Sequence, residues 1–250
     1  MTVKALINNP QDVVNEVLEG FERSNADLVK LYTDPIWVGR AAPRKGVAVV
    51  SGGGSGHEPL HAGFIGDGML DAAVPGAMFT SPTPDAILAA IEGADNGDGV
   101  LCIVKNYTGD VLNFEMAAEL AEASGHEVRS VLVADDVAVE DSTFTAGRRG
   151  VAGTVFVEKI AGAVAASGGS LEEVTAAAQA MSDSVRSMGL ALRGCTLPHV
   201  GEPGFELADD EVEMGVGIHG EPGRHRGAMA SADELTDELV DAILADRELD

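Results

Sequence analysis

The first half of the chain alternates short apolar runs with longer helix-period patterns, and this alternation restricts the fold more than any other feature. GVAVV (46–50), LDAAV (70–74), GVLCIV (99–104) and VRSVLV (128–133) read as buried strands bounded by Gly or Asp. Between them, TPDAILAAIEGA (83–94) and GDVLNFEMAAELAEASG (109–125) predict helices. Pro84 stands near the start of the first and Gly125 ends the second, as helix boundaries favour. Strands alternating with helices imply an α/β fold, a mainly parallel sheet flanked by helices, with ligands gathering at the carboxyl ends of the strands. Two further helical patterns cover 151–169 and 171–188. Strand-like stretches at 189–198 and 211–220 follow, joined by a Gly/Pro-rich connection, and an amphipathic pattern runs over 232–249. A boundary near Met188 divides the chain into a first α/β lobe, 1–188, and the beginning of a second α/β lobe, 189–250.

The run ending at Val50 leads directly into SGGGSGHEPLH. A glycine loop between strand and helix commonly cradles a phosphate or a dinucleotide. Neither fingerprint fits here. A GxGxxG register from Gly52 requires glycine at the position held by His57, and a Walker loop requires Lys and Ser/Thr after Gly56, where His57 and Glu58 stand. What remains is a small-residue turn that admits a ligand close to the backbone and then presents a histidine at the mouth of the next helix.

Charge narrows the partners. Against 16 Lys+Arg stand 41 Asp+Glu, a formal net charge of -25, which argues against nucleic acid and anionic membrane. Such acidity matches a protein adapted to a salt-rich cytoplasm, where molar salt shortens the screening length to ~3 Å; an ordinary acidic cytosolic protein is the plainer reading. The N-terminal MTVKALINNPQ has no apolar signal core, and no apolar stretch is long enough to span a bilayer. A soluble cytoplasmic protein is expected. Cys102 and Cys195 lie within or beside apolar runs and are expected to be buried free thiols in a reducing compartment.

Three loops at strand ends carry candidate chemistry. His57 follows the run ending at Val50. Lys105 and Asp110 flank a turn in KNYTGD (105–110). His219 lies between glycines in GIHGEPG (217–223). If the strands ending at Val50 and Val104 are parallel neighbours, His57 and Asp110 share one edge of the sheet. Each residue also has a plain reading: His57 as a cap or packing group, Asp110 as a first-turn carboxylate, Lys105 as a surface charge, His219 as a turn residue. Glycine neighbours strip other side chains from around His219 and leave its imidazole accessible. His61 fits the buried side of the helix after the glycines, and His126, His199 and His225 sit in polar contexts; none is assigned a role. Metal-ligand spacings such as HExxH or paired CxxC are absent from the sequence, so no metal site is expected.

Taken together, SGGGSGHEPLHAGFIGDGML, FTSPTPD, KNYTGD, ADDVAV, TAGRRGVAGTVFVEK and EMGVGIHGEPG resemble, in order, the motifs of the dihydroxyacetone kinase K subunit family. The likeness runs from about Ala5 to Gly223. It implies a chain that binds dihydroxyacetone and no nucleotide. A separate helical L subunit carries ADP or ATP with magnesium, and a phosphocarrier M subunit is a further candidate partner. It implies activity only with such a partner, and a homodimer. Carried over by motif, His219 bonds covalently to the ketose carbonyl, His57 and Asp110 act as acid/base partners, and Gly54, Ser55 and Lys105 contact substrate hydroxyls. Family chains continue past GIHGEPG to complete a second lobe, so residues 189–250 are expected to form an incomplete one. The alternative from another class is a non-catalytic ketose-binding or sensing module. A nucleotide-binding oxidoreductase is left with only the failed glycine register.

Overall fold

The computed structural model describes residues 5–140 and 146–247. A hairpin of β1 (Val29–Thr33) and β2 (Ile36–Arg40) turns through Asp34 and Pro35 and lies antiparallel beside β4 (Ala72–Met78). From there the sheet is parallel: β4 pairs with β3 (Ala48–Ser55), β3 with β5 (Val100–Lys105), and β5 with β6 (Val128–Val133). The order is β1-β2-β4-β3-β5-β6. The sheet is therefore mixed, with a parallel centre and an antiparallel hairpin at one edge. The chain leaves β3 toward β4, then crosses back over β3 to reach β5, so β3 sits at the switch point where ligands of such sheets collect.

Both faces are covered. α2 (Pro84–Ala94) and α3 (Thr108–Ala123) pack Ile87, Ile91, Phe114 and Ala117 against Val50, Val74, Cys102 and Val104. On the opposite face α1 (Val13–Ser24), α4 (Thr154–Ala166) and α5 (Leu171–Ser184) bring Leu18, Val157, Ala161 and Val174 onto Val49, Leu101, Ile103 and Val131. Successive strand residues feed opposite layers, as the two-residue period of a strand requires. That is why the central runs are apolar throughout rather than alternating.

Several expectations need correction. The glycines do not form a loop: Gly52, Gly53 and Gly54 continue β3, opposite Val74, Pro75 and Gly76 of β4. No helix follows them either; the chain after Ser55 makes turns around Pro59 and a single 3₁₀ turn, Ala62–Phe64. Cys102 is buried but Cys195 is exposed, since it lies in irregular chain beyond a strand that is only Leu190–Ala191, β7. The strand-like 211–220 stretch likewise shortens to β8 (Glu211–Met214), pairing antiparallel with β7 and with β9 (His225–Ala228). This small sheet packs with α6 (Ala232–Asp246) around Val212, Met214 and Leu235; it is antiparallel throughout, and βαβ units do not recur there.

Buried polar bonds fix the small sheet over the carboxyl ends of β5 and β6. Arg149, fully buried, donates from Nε to Asp136 at 2.7 Å and from Nη2 to the Gly215 carbonyl at 2.8 Å. Arg224 donates to the Val137 carbonyl at 2.7 Å, and Asp246 of α6 accepts from Arg148 and Arg186. Beneath this junction Gly150 has no room for a side chain: a Cβ there meets Val133 O at 2.4 Å, Asn106 N at 2.7 Å and Lys105 Cα at 2.8 Å. All three contacts are with backbone, so Gly150→Ala is expected to cost about 1–3 kcal/mol, the range for overpacking a tight interior. Urea denaturation reads this directly, and an unchanged midpoint contradicts it.

Candidate active site

Four loops meet at the carboxyl edge of the sheet. The first leaves β3 through Gly56, whose φ of +105° only glycine adopts without strain, and whose missing Cβ leaves the Phe79 ring its place at 2.6 Å. This turn sets His57 parallel to Phe79, with centroids 4.7 Å apart and planes 6° from parallel. Phe79 itself holds φ +54°, an uncommon backbone conformation for a bulky residue, of the kind concentrated at ligand sites. His57 Nε2 is buried without a hydrogen-bond partner. Burial, then the neighbouring His219, Lys105 and His61, push its pKa down to about 3. The ring is therefore neutral at physiological pH.

The second loop follows β5. Lys105, the last residue of that strand, is buried, which removes the surface-charge reading. Beyond Ser51 the β3–β5 ladder has ended, and Lys105 Nζ donates to the Gly52 carbonyl at 3.0 Å. The ammonium also lies 2.7 Å from His61 Nε2 and 3.9 Å from Asp110 Oδ2. It occupies the space of a side chain on Gly53, whose Cβ would stand 2.2 Å from Nζ. Asp110, in the first turn of α3, is buried with Oδ1 unpartnered. A carboxylate there is favoured by the helix N-terminus.

The third loop, after β4, runs so close to β3 that a Cβ on Gly54 would stand 2.6 Å from Thr80 N. The fourth carries His219. Gly217 closes that turn by donating to the Glu221 carbonyl at 2.9 Å, and its absent side chain leaves room for the Glu221 carboxylate. Glu221 accepts from the His219 backbone N–H at 3.0 Å and faces the ring's Nδ1 at 3.2 Å. Burial opposes the charge on Glu221, but the His219 hydrogen bonds prevail and hold its carboxyl below the usual range. The imidazole of His219 is half-buried, set edgewise to Tyr107 at 4.8 Å and to His57 at 5.0 Å. With Nδ1 facing Glu221, Nε2 is the nitrogen left for a ligand.

A cavity of about 610 Å³ opens between these loops, lined by Phe79, Thr80, Ser81, Tyr107, Gly109 and His219 among others. β3 and β5 are parallel neighbours; Asp110 lies 3.9 Å from the Lys105 ammonium, whose charge also helps depress the His57 pKa. Ser55 is turned away: its hydroxyl donates to the Gly76 carbonyl at 2.7 Å, and with Gly54 it lines a separate cavity beside α1. Sequence reasoning passed over His61, Glu158, Phe79, Tyr107 and Glu221. The repeated histidine in HEPLH and the Glu in HGEP were signals for two of them. Among the described residues no group of three or more His, Cys, Asp or Glu could hold a metal ion.

Comparison with known proteins shows the family. The Dak1 domain family matches residues 19–250. The chain belongs to the Dak1 family. It is 54% identical, over 99% of its length and 75% of the relative's, to the dihydroxyacetone-binding subunit of a PTS-dependent dihydroxyacetone kinase of Listeria innocua. Its structure superimposes on the C. freundii dihydroxyacetone kinase with a TM-score of 0.91 at 41% identity, covering 98% of this chain and 45% of that one. The C. freundii enzyme has also been solved with AMP-PNP and Mg2+. A dihydroxyacetone kinase operon co-activator aligns with a TM-score of 0.86 at 38% identity, over 92% of this chain and 71% of its own. Dak1 relatives thus include both kinase subunits and a regulator. No helix among the described residues is long and apolar enough to cross a membrane.

Proposed function

We propose that this Dak1 chain is the dihydroxyacetone-binding subunit of a dihydroxyacetone kinase, holding the ketose as a hemiaminal on His219 while a partner subunit delivers the phosphoryl group. The observation that carries the reading is the His219 ring itself, half-buried, turned toward Glu221 at Nδ1, and set 5.0 Å from His57.

The reaction follows from these positions. Nε2 attacks C2 of the ketose, forming the N–C bond as the carbonyl π electrons move onto oxygen. The Nδ1 proton passes to the Glu221 carboxylate and from there to solvent, while the oxygen takes a proton from solvent, so the hemiaminal is neutral and no net proton is gained or lost. Neutral His57, with Nε2 unpartnered, hydrogen-bonds the oxygen formed at C2. Lys105 binds a substrate hydroxyl, and Asp110 accepts the proton of the terminal hydroxyl as it attacks phosphorus. Fixing C2 covalently confines that hydroxyl, which is much of what phosphoryl transfer requires. Glycerol, lacking a carbonyl, cannot be captured.

Gly52–Gly54 are paired in a strand and form no anion-binding loop, which supports a phosphoryl donor carried by a partner, either a nucleotide-bearing L subunit or a phosphocarrier-fed one. The purified chain is expected to bind dihydroxyacetone but not glycerol, and to form no product until the partner is added. Product formation by the chain alone contradicts the assignment. The likeness to a co-activator favours one second reading, a sensor that captures ketose without turning it over; Asp110 is dispensable for that role. The acidic surface further suits a salt-rich cytoplasm. Thermal stability is therefore expected to rise from low to molar potassium chloride, and a flat response removes that idea.

A further inference from the structure

Behind Lys105 lies a buried polar chain that the reaction above does not use. His61 is buried, with Nε2 2.7 Å from Lys105 Nζ and Nδ1 2.5 Å from Glu158 Oε1 on α4. Glu158 is wholly buried in the apolar layer of α4, and its Oε2 has no partner. A buried polar pair of this kind is costly, and an apolar replacement often serves stability as well or better. The arrangement thus calls for a role other than packing.

We propose that Glu158 and His61 are positioning residues that fix the Lys105 ammonium for the ketose. The proposal rests on the reading of Lys105 as a substrate contact. An ammonium can only donate, so His61 Nε2 accepts from it; Nδ1 then carries the ring proton and donates to Glu158. One tautomer satisfies both bonds. Burial and the Lys105 charge hold the His61 pKa below its usual value, consistent with a neutral ring. Two of the three ammonium protons go to Gly52 O and His61 Nε2. At 3.9 Å Asp110 is too far for a direct hydrogen bond, and the third proton remains for a ligand oxygen beside it. The chain crosses the sheet, from α4 on one face to Asp110 of α3 on the other.

Around Lys105 stand Asp110 from α3, Glu158 from α4, Asp135 after β6, and the rings of His57 and His61. Burial lowers the Lys105 pKa, while Asp110, Glu158 and Asp135 oppose that loss. Removing the Glu158 charge should let the ammonium lose its proton at lower pH.

The test uses the chain with its phosphoryl-donating partner and measures kcat and KM for dihydroxyacetone across pH. Glu158→Gln and His61→Leu are expected to raise KM about tenfold, a one-unit equivalent, and to move the alkaline limb of kcat/KM to lower pH. His61→Gln keeps a donor and an acceptor and should recover most of the loss. In a Lys105→Met background Glu158→Gln should add nothing, because a residue acting through Lys105 has nothing left to act on. Additive losses, or an unmoved alkaline limb, overturn the proposal. Should Glu158→Gln fail to fold, equal losses in His61→Gln and His61→Leu overturn it instead. A Lys105→Met variant with unchanged KM defeats the substrate role of Lys105 and this inference with it. Loss in Lys105→Met alone, with Glu158→Gln and His61→Leu neutral, defeats only this inference.

Discussion

Asparagine in place of Asp110 is expected to slow turnover of the assembled kinase by about 10²–10⁴-fold, the usual worth of a general base, while ketose affinity changes only a few-fold. The substitution keeps shape and volume and exchanges an acceptor for a group that takes no proton. Asp110 is buried, its Oδ1 has no partner, and its Oδ2 lies beside the Lys105 ammonium. Capture of C2 by His219 does not need that carboxylate. Its role arises as the terminal hydroxyl loses its proton, so kcat and kcat/KM should fall together with KM nearly constant. Steady-state kinetics at saturating partner measures this. A loss confined to KM reassigns Asp110 as a clamp on the substrate.

His219→Ala should have the other large effect, of a different form. Without the imidazole there is no hemiaminal, and the ketose is held only by hydrogen bonds. Binding of dihydroxyacetone should drop to the level of glycerol. Turnover should fall by about three orders of magnitude or more, since covalent positioning supplies an effective molarity that weak binding cannot replace. The fold should be little affected, because the ring is half-buried and contacts its neighbours edgewise. Isothermal titration with dihydroxyacetone and with glycerol, on wild type and variant, separates the cases. Retained discrimination between the two ligands in His219→Ala places ketose capture elsewhere.

The parallel centre of the sheet was legible because β3 and β5 begin as apolar runs covered on both faces, a pattern that needs no distant information. The hairpin β1–β2 escaped notice: β1 is only partly covered, and its alternation in VKLYT is short. α1 escaped notice as well, although its apolar residues Val13, Val14, Leu18 and Phe21 fall on one helical face. Strand status for Gly52–Gly54 ran against glycine's low strand preference; pairing with β4 decides it, and no local pattern announces that partner. His57, Lys105, Asp110 and His219 were readable as candidates near strand ends, and parallel pairing of β3 with β5 puts His57, Lys105 and Asp110 at one edge of the sheet. The His61–Glu158 contact spans 97 residues of chain and depends on α4 crossing behind β3. Ser55 entered as a substrate contact through the family resemblance; its hydroxyl donates to the Gly76 carbonyl, a partner that no local pattern announces.

The central claim is the covalent bond between His219 and the ketose, and isotope-edited spectroscopy reads that bond directly. The ¹⁵N-histidine-labelled chain is mixed with dihydroxyacetone labelled with ¹³C at C2. The account predicts a protein-bound tetrahedral C2 resonance with one-bond coupling to a single imidazole nitrogen, Nε2, lost in His219→Ala. A bound C2 that keeps its ketone resonance, or a coupling that survives in His219→Ala, contradicts it.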